Sequence, residues 1–426
     1  METIYRKRIA DALLHDLLES SGVVLIQGPK WCGKTTTAEQ AAASVVYMND
    51  PENEEELLFL ANNSPKRLLA GKTPRLIDEW QLAPKLWDAA RFEVDHRTST
   101  VGQFIFTGSA VPADTKNIHH SGTGRFAWLT MRPMSLWESG ESSGEISLQA
   151  LFKGETPEGS SHKMTIDELS FITCRGGWPA SLSMTSKAAL KQAYNYVDAV
   201  AKSDISRVDG VKRDAAFAFR LLRSFARHQG AQVPSSSFLA DMMANDGGSL
   251  SKNTIEAYLQ ALKKIFVIED MPAWNPNLRS KSAIRTSDTR YFTDPSIATA
   301  ALGLGPDDLP KDLQTFGLLF ETMAVRDLRV YAEALGGQVF HFRDRNGLEC
   351  DAVIHLRNGH YGLIEIKLGG EKLINEGSKT LLSLSSKIDL TRMPAPSFCM
   401  VLTGIGQYAY QREDGIMVVP IGCLKD

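Results

Sequence analysis

No run of apolar residues in this sequence approaches the ~20 needed to cross a bilayer, which argues against a membrane-embedded chain. The first residues, "METIYRKRIADALLHDLLESSG", lack the uninterrupted apolar stretch and small-residue cleavage site of a secretory signal. Cysteine is sparse: Cys32, Cys174, Cys350, Cys399 and Cys423 are odd in number, scattered, and never spaced C-x-x-C. Neither a disulfide framework nor a structural zinc site is therefore expected, and the expected address is the cytoplasm. Excess charge is also missing. A net charge of −3 argues against a chain that coats nucleic acid indiscriminately, although a local basic face remains open. There is no internal repeat and no long low-complexity segment.

What is present is 426 residues of ordinary globular composition, enough for two or three domains. Up to a polar, Gly- and Ser-rich segment, "GETPEGSSHKMT" (154–165), short apolar runs alternate with helical stretches. "GVVLIQG" (22–28), "ASVVYMND" (43–50), "PRLIDEW" (74–80) and "GQFIFTGS" (102–109) read as buried strands of a parallel sheet with helices on both faces. The next stretch is helical. In "LSKNTIEAYLQALKKIFVI", Ile255, Leu259, Leu262 and Phe266 fall on one predicted helical stripe, with Ser251 as its N-cap. From about Gln314 a long helix leads into "QVFHFRD", "ECDAVIHLR" and "HYGLIEIKL", then a helix near 371–388 and two more strands. This predicts an α/β chain of three domains, at 1–155, 165–305 and 312–426.

Chemistry concentrates first at Gly28-Pro29-Lys30-Trp31-Cys32-Gly33-Lys34-Thr35, which fits G-x-x-x-x-G-K-[ST] in full and is followed by Thr36. The glycines let successive N–H groups face an anion, and the helix that follows presents its positive end to the same point. Lys34 is expected on the β and γ phosphates of ATP, and the Thr35 hydroxyl on Mg²⁺. About 45 residues on, "RLIDEW" puts Asp78 and Glu79 at a strand's end. Asp78 suits Mg²⁺ binding through water, and Glu79 suits polarising the water that attacks the γ phosphate. "FIFTGSA" offers Thr107 or Ser109 as a polar residue at the next strand tip, either to sense that phosphate or to form a turn.

A loop GP-x-x-x-GKTT, then "LIDEWQ", "FIFTGS" and "GTGRFAWLTMRPMSLWE", resembles the bacterial and archaeal AAA-type ATPases of the P-loop superfamily. Their usual loop reads GPR followed by an apolar residue, where this chain has Lys30 and Trp31. The resemblance implies that Arg125, in Gly124-Arg125, is an arginine finger or an internal sensor of nucleotide; read alone it is a surface arginine. It extends over nearly the whole chain, through "CRGGWPASL" and a winged-helix portion whose recognition helix would start at Ser251. Positions 202–227 hold seven Lys/Arg against three Asp, and 279–290 hold Arg279, Lys281, Arg285 and Arg290 against Asp288. Such residues hold nucleic-acid phosphates, form solvated helix faces, or belong to a winged helix used as a protein-packing module.

The C-terminal strands carry Asp351 and, in the next strand, Glu365-Ile366-Lys367 with the acid and the base on one side. With Glu321 on the preceding helix, this resembles the PD-(D/E)xK core of restriction-endonuclease-like folds. The resemblance implies that Asp351, Glu365 and Glu321 hold metal and that Lys367 orients water. Two functions follow: an ATPase coupled to a nuclease-like domain acting on DNA or RNA, or an ATP-dependent switch that binds a protein partner or its own copy through a catalytically inactive nuclease-like domain.

Overall fold

The computed structural model describes residues 5–110, 122–157, 164–246, 251–279 and 287–426. They form two compact units, one from residues 1–133, 200–214 and 258–267, the other from 134–199, 215–257 and 268–426.

The first unit is built on five parallel strands: β1 (Val23–Gln27), β2 (Ser44–Tyr47), β3 (Arg75–Asp78), β4 (Phe104–Gly108) and β5 (Phe126–Thr130). Their order across the sheet is β2-β3-β4-β1-β5. The four expected strands are all there, and the edge strand β5 joins them. Around the sheet lie α1 (Ile9–Ser20), α2 (Lys34–Ala41), α3 (Glu54–Asn63), α4 (Pro65–Leu69) and α5 (Lys85–His96). Successive residues of a strand point to opposite faces, so β1 feeds two cores. Val23 and Leu25 join Trp80, Leu86, Trp87 and Phe106 on one face. Val24 and Ile26 join Leu14, Leu18 and Ala38 on the other. Sandwiching of this kind explains why the strands read as unbroken apolar runs. The short α10 (Ile205–Arg207) also belongs to this unit.

The second unit contains α6 (Leu136–Ser139), β6 (Ile146–Ser147), α7 (Leu148–Phe152), α8 (Ile166–Arg175) and α9 (Ser186–Ala199), then α11 (Ala215–His228) and α12 (Ser235–Asp246). The helix α13 (Lys252–Lys264), whose residues from Tyr258 on are counted with the first unit, begins where expected, with Ser251 Oγ accepting from the Thr254 amide at 3.1 Å. It ends before Phe266, which turns into the left-handed region (φ 57°) and leaves the predicted stripe to Ile255, Leu259 and Leu262. An antiparallel pair follows, β7 (Ile268–Met271) with β8 (Thr289–Phe292), and then α14 (Pro295–Leu302).

The long α15 (Leu313–Ala334) leads to β9 (Gly337–Arg343), β10 (Glu349–Leu356) and β11 (Tyr361–Lys367), an antiparallel meander. α16 (Glu371–Lys387) then crosses over to β12 (Phe398–Thr403), which pairs parallel with β11. β13 (Tyr410–Gln411) and β14 (Met417–Pro420) complete a six-stranded sheet, and β15 (Leu424–Lys425) pairs with β6. Core residues from β10, β11, β12 and α16, among them Val353, Leu363, Leu381 and Val401, lie together.

Buried charge braces this unit. Arg326 donates to Asp294 at 2.8 Å and pairs with Asp327 at 2.7 Å, all three being buried. Asp294 also caps α14 through the Ser296 amide at 3.0 Å and accepts from Gly177 N at 2.9 Å. Asp327 accepts from Leu136 N at 3.0 Å. A Cβ on Gly177 would lie 2.2 Å from the Met134 carbonyl, so only glycine fits. The "RGGWP" and "RPMSLWE" motifs thus meet in a shared packing site.

Candidate functional site

Parallel register brings the first set of residues together. β3 ends at Asp78, which pairs in register with Thr107 of β4, and β4 in turn pairs with β1, which runs straight into the loop. Gly28 (φ 151°) and Gly33 (φ 98°) take backbone angles that side chains resist, and a Cβ on Gly28 would collide with the Met131 carbonyl at 2.0 Å. Gly33 is the N-cap of α2, so the helix opens at the loop's end.

The side chains then converge. Lys34 is buried, and its ammonium donates to the carbonyls of Gly28 (3.0 Å) and Pro29 (2.8 Å), which holds the charge within the loop. Thr35 Oγ1 donates to Asp78 Oδ1 at 2.7 Å, and Thr107 Oγ1 donates to the same oxygen. Glu79, held at φ 55°, accepts from Ser109 at 3.3 Å and from Gln81. The two strand-tip hydroxyls are therefore divided between the two carboxylates. Cys32 is buried against the Met131 carbonyl, Thr36 is exposed, and Trp31 projects half-exposed at φ 67°. Lys30 pairs with Asp204 at 2.7 Å within the same unit.

Two contributors carry no motif in the sequence. Arg8 donates to the carbonyls of Cys32 (2.7 Å) and Arg132 (2.9 Å), bracing the loop from α1's N-cap. Gln81 positions Glu79. Arg125 is not brought to the loop. It precedes β5, at the opposite end of the strands from Gly28, and pairs with Asp95 at 2.8 Å.

The second set lies in the C-terminal sheet. A bulge between Cys350 and Val353 turns Asp351 so that its Oδ2 accepts from the Ile366 amide (2.7 Å) and from Lys367 Nζ (2.9 Å). Lys367 also pairs with Glu365 at 2.7 Å. Glu321 accepts from Tyr291 OH at 2.6 Å. Burial, and then the charge of Asp351, push the carboxyls of Glu321 and Glu365 up to about 8. Burial opposes the charge on Lys367, but Asp351 and Glu365 outweigh it and raise its pKa.

Among the described residues, no group of three His, Cys, Asp or Glu side chains is laid out to hold a metal ion. That fits the first set, because Mg²⁺ in a phosphate loop takes mainly phosphate and water oxygens, with a hydroxyl and a carboxylate such as Thr35 and Asp78 beside it. The second set does not fit as it stands. Lys367 lies between Asp351 and Glu365, and Glu321 is turned to Tyr291.

Several basic residues singled out by charge are occupied. Arg213 pairs with Asp209, Arg227 with Asp241 and Arg290 with Asp270, while Arg279 donates to the Ile388 carbonyl. Lys281 and Arg285 lie outside the described residues.

Comparison with known proteins divides the chain in three. Residues 20–139 match a family model described as an AAA domain. Residues 166–308 and 316–424 match models described as domains of unknown function, DUF8612 and DUF4143. The uncharacterized protein Rv2008c of Mycobacterium tuberculosis is 24% identical over 422 residues, 98% of this chain and 84% of that protein. Mb2031c of Mycobacterium bovis matches to the same extent. Among solved structures, the Walker-type ATPase paby2304 of Pyrococcus abyssi shares 14% identity at a TM-score of 0.42, over 70% of this chain and 96% of that one. A RuvB variant of Thermotoga maritima shares 16% at 0.27, over 62% and 88%. The AAA match and the loop define an AAA-type P-loop domain, a class built to bind nucleotide. Among the described residues, no helix is long and apolar enough to cross a membrane.

Proposed function

We propose that this chain binds and hydrolyses ATP with Mg²⁺ in the cytoplasm, and that its nucleotide state governs a nuclease-like C-terminal region that engages DNA or RNA. The observation that carries the ATPase reading is the convergence of Thr35 and Thr107 on one oxygen of Asp78, beside the buried Lys34. Thr35 and Asp78 would hold Mg²⁺, which when bound offsets phosphate charge. Glu79 is the base that orients and polarises water, kept in place by Gln81 and Ser109. Lys34 binds phosphate, with the loop amides from Gly28 to Thr36 completing the cradle.

The three matched segments support a three-part organisation: an ATPase domain to about residue 155, a helical and winged-helix region at 165–305, and a nuclease-like region at 312–426. Helices α11 to α13 followed by the β7–β8 pair favour the winged-helix reading. One helix, a three-strand meander, a crossover helix and a parallel fourth strand favour the nuclease-like one. Asp351, Glu365 and Glu321 are the carboxylates of that reading, and Lys367 is its water-orienting residue.

The Lys367 bridge favours a second reading, in which this region does not cut and the chain is an ATP-dependent switch for a protein partner or a second copy. One measurement tests what the two readings share, and a second separates them. Lys34→Ala is expected to weaken ATP binding roughly 10- to 100-fold, from the loss of charge-assisted hydrogen bonds of about 1.5–3 kcal/mol; unchanged turnover would end the ATPase reading. Plasmid nicking with Mg²⁺ or Mn²⁺, with and without ATP, then compares wild type with Asp351→Ala. Cleavage lost in the variant assigns cutting to this cluster. No cleavage by either protein leaves the switch.

A further inference from the structure

In the second unit, α9, α11 and α14 border a half-open cavity of about 240 Å³. It is lined by Tyr194, Val197 and Asp198 of α9, by Phe219, Arg220 and Arg223 of α11, and by Ala300 and Ala301 of α14. That volume is below the about 300–1,000 Å³ of sites for drug-sized ligands, which suits a single planar ring system. Its chemistry is mixed in an informative way: two aromatic rings, one carboxylate and two guanidinium groups beside small residues.

The surroundings extend the charge. Lys187, Lys191, Tyr194 and Asp198 recur at helical spacing along one exposed face of α9. At about 1.5 Å per residue, the two lysines continue the cavity's basic side for roughly 10 Å along the helix. Lys187, Lys191 and Arg223 form no hydrogen bond or ion pair among the described residues, unlike Arg213, Arg227 and Arg290. Tyr194 is 43% exposed, and its hydroxyl donates to the Leu304 carbonyl at 3.2 Å, which fixes the ring at the cavity mouth.

We infer that this cavity holds one base of a single-stranded nucleic acid, stacked on Tyr194, with the flanking phosphates on Arg223, Lys191 and Lys187. A ring at the mouth of a positively charged groove is the usual way to bind single strands without reading sequence. An acidic peptide would meet the same cations but leaves the ring unexplained. The inference deepens the nucleic-acid reading above and rests on it, while the two can fail separately.

The test is fluorescence anisotropy of a short labelled single strand against the full chain over a salt series. Wild type binds, and Tyr194→Ala weakens binding roughly 5- to 150-fold, the usual loss for one stacked base. Tyr194→Phe keeps the ring and restores binding. Arg223→Gln combined with Lys191→Gln lowers the slope of log affinity against log salt by about 1.4, as loss of two phosphate contacts to a single strand requires. Binding by wild type that is unchanged in these variants overturns the site but leaves the nucleic-acid reading standing. No binding of any strand overturns the site, and the plasmid assay then decides the nucleic-acid reading by itself. Displacement of the strand by thymidine monophosphate at equal concentration makes the occupant a free nucleotide and overturns the strand assignment.

Discussion

At Glu79 a carboxylate sits one residue beyond the end of β3, at φ 55°, with Gln81 and Ser109 bonded to it. A non-glycine residue in that conformation costs of order 1–3 kcal/mol, and it persists because neighbours over-determine it, as is common where chemistry is done. Glu79→Gln keeps the size and removes the charge proposed to polarise water. ATP binding is expected to survive, while turnover falls roughly 10²- to 10⁴-fold, the usual worth of a general base; phosphate release in single-turnover assays measures it, and normal turnover would mean another residue is the base. Glu321 offers a different kind of prediction. Burial raises its carboxyl from 4.5 to about 8, so between those values the folded chain holds a proton that the unfolded chain releases. Its contribution to stability is therefore full below about pH 4.5 and drains away as the pH rises to about 8. Urea unfolding of metal-free protein should show a flatter pH dependence in Glu321→Gln over that window. Parallel curves would show that Glu321 ionises freely.

Elements are held by contacts that motifs mark only indirectly. α14 is buried along nearly its whole length, its N-terminus capped by Asp294, and Asp294 is itself bound by Arg326 of α15 and by the Gly177 amide. The glycines before Trp178 are there because α14's cap and the Met134 carbonyl leave no space for a Cβ. Removing one partner of a fully buried pair strands the other's charge, so Arg326→Met should destabilise the second unit by about 3–5 kcal/mol. Chemical denaturation followed by tryptophan fluorescence checks it, with a loss under about 1 kcal/mol counting against a bracing role. At the same scale, β10 places Asp351 by a bulge, and β11 places Glu365 and Lys367 by simple alternation.

For the whole molecule, the position of Arg125 is the sharpest constraint. Five residues of strand at about 3.3 Å each put it roughly 16 Å along the sheet from the phosphate loop of its own chain. A finger role therefore demands a second copy. Mixing Arg125→Ala with Glu79→Gln should then recover ATP turnover that neither shows alone. No recovery, or full activity in Arg125→Ala by itself, would remove Arg125 from the reaction.

Local patterns carried much of this protein. The phosphate loop, the Asp78–Glu79 pair and four strands of the parallel sheet are legible because backbone geometry and period-two burial leave marks within a few residues. Phe266 shows the limit of that approach: its spacing matched the helical stripe, but a left-handed turn ended the helix before it. What periodicity does not carry is distance between remote segments. That Thr107 and Thr35 meet on Asp78, that Arg8 braces the loop, that Lys367 bridges two acids, and that many of the basic residues are spent on internal pairs depends on strand register and packing. Those are set by the burial of whole faces at once, which no local stretch of sequence encodes by itself.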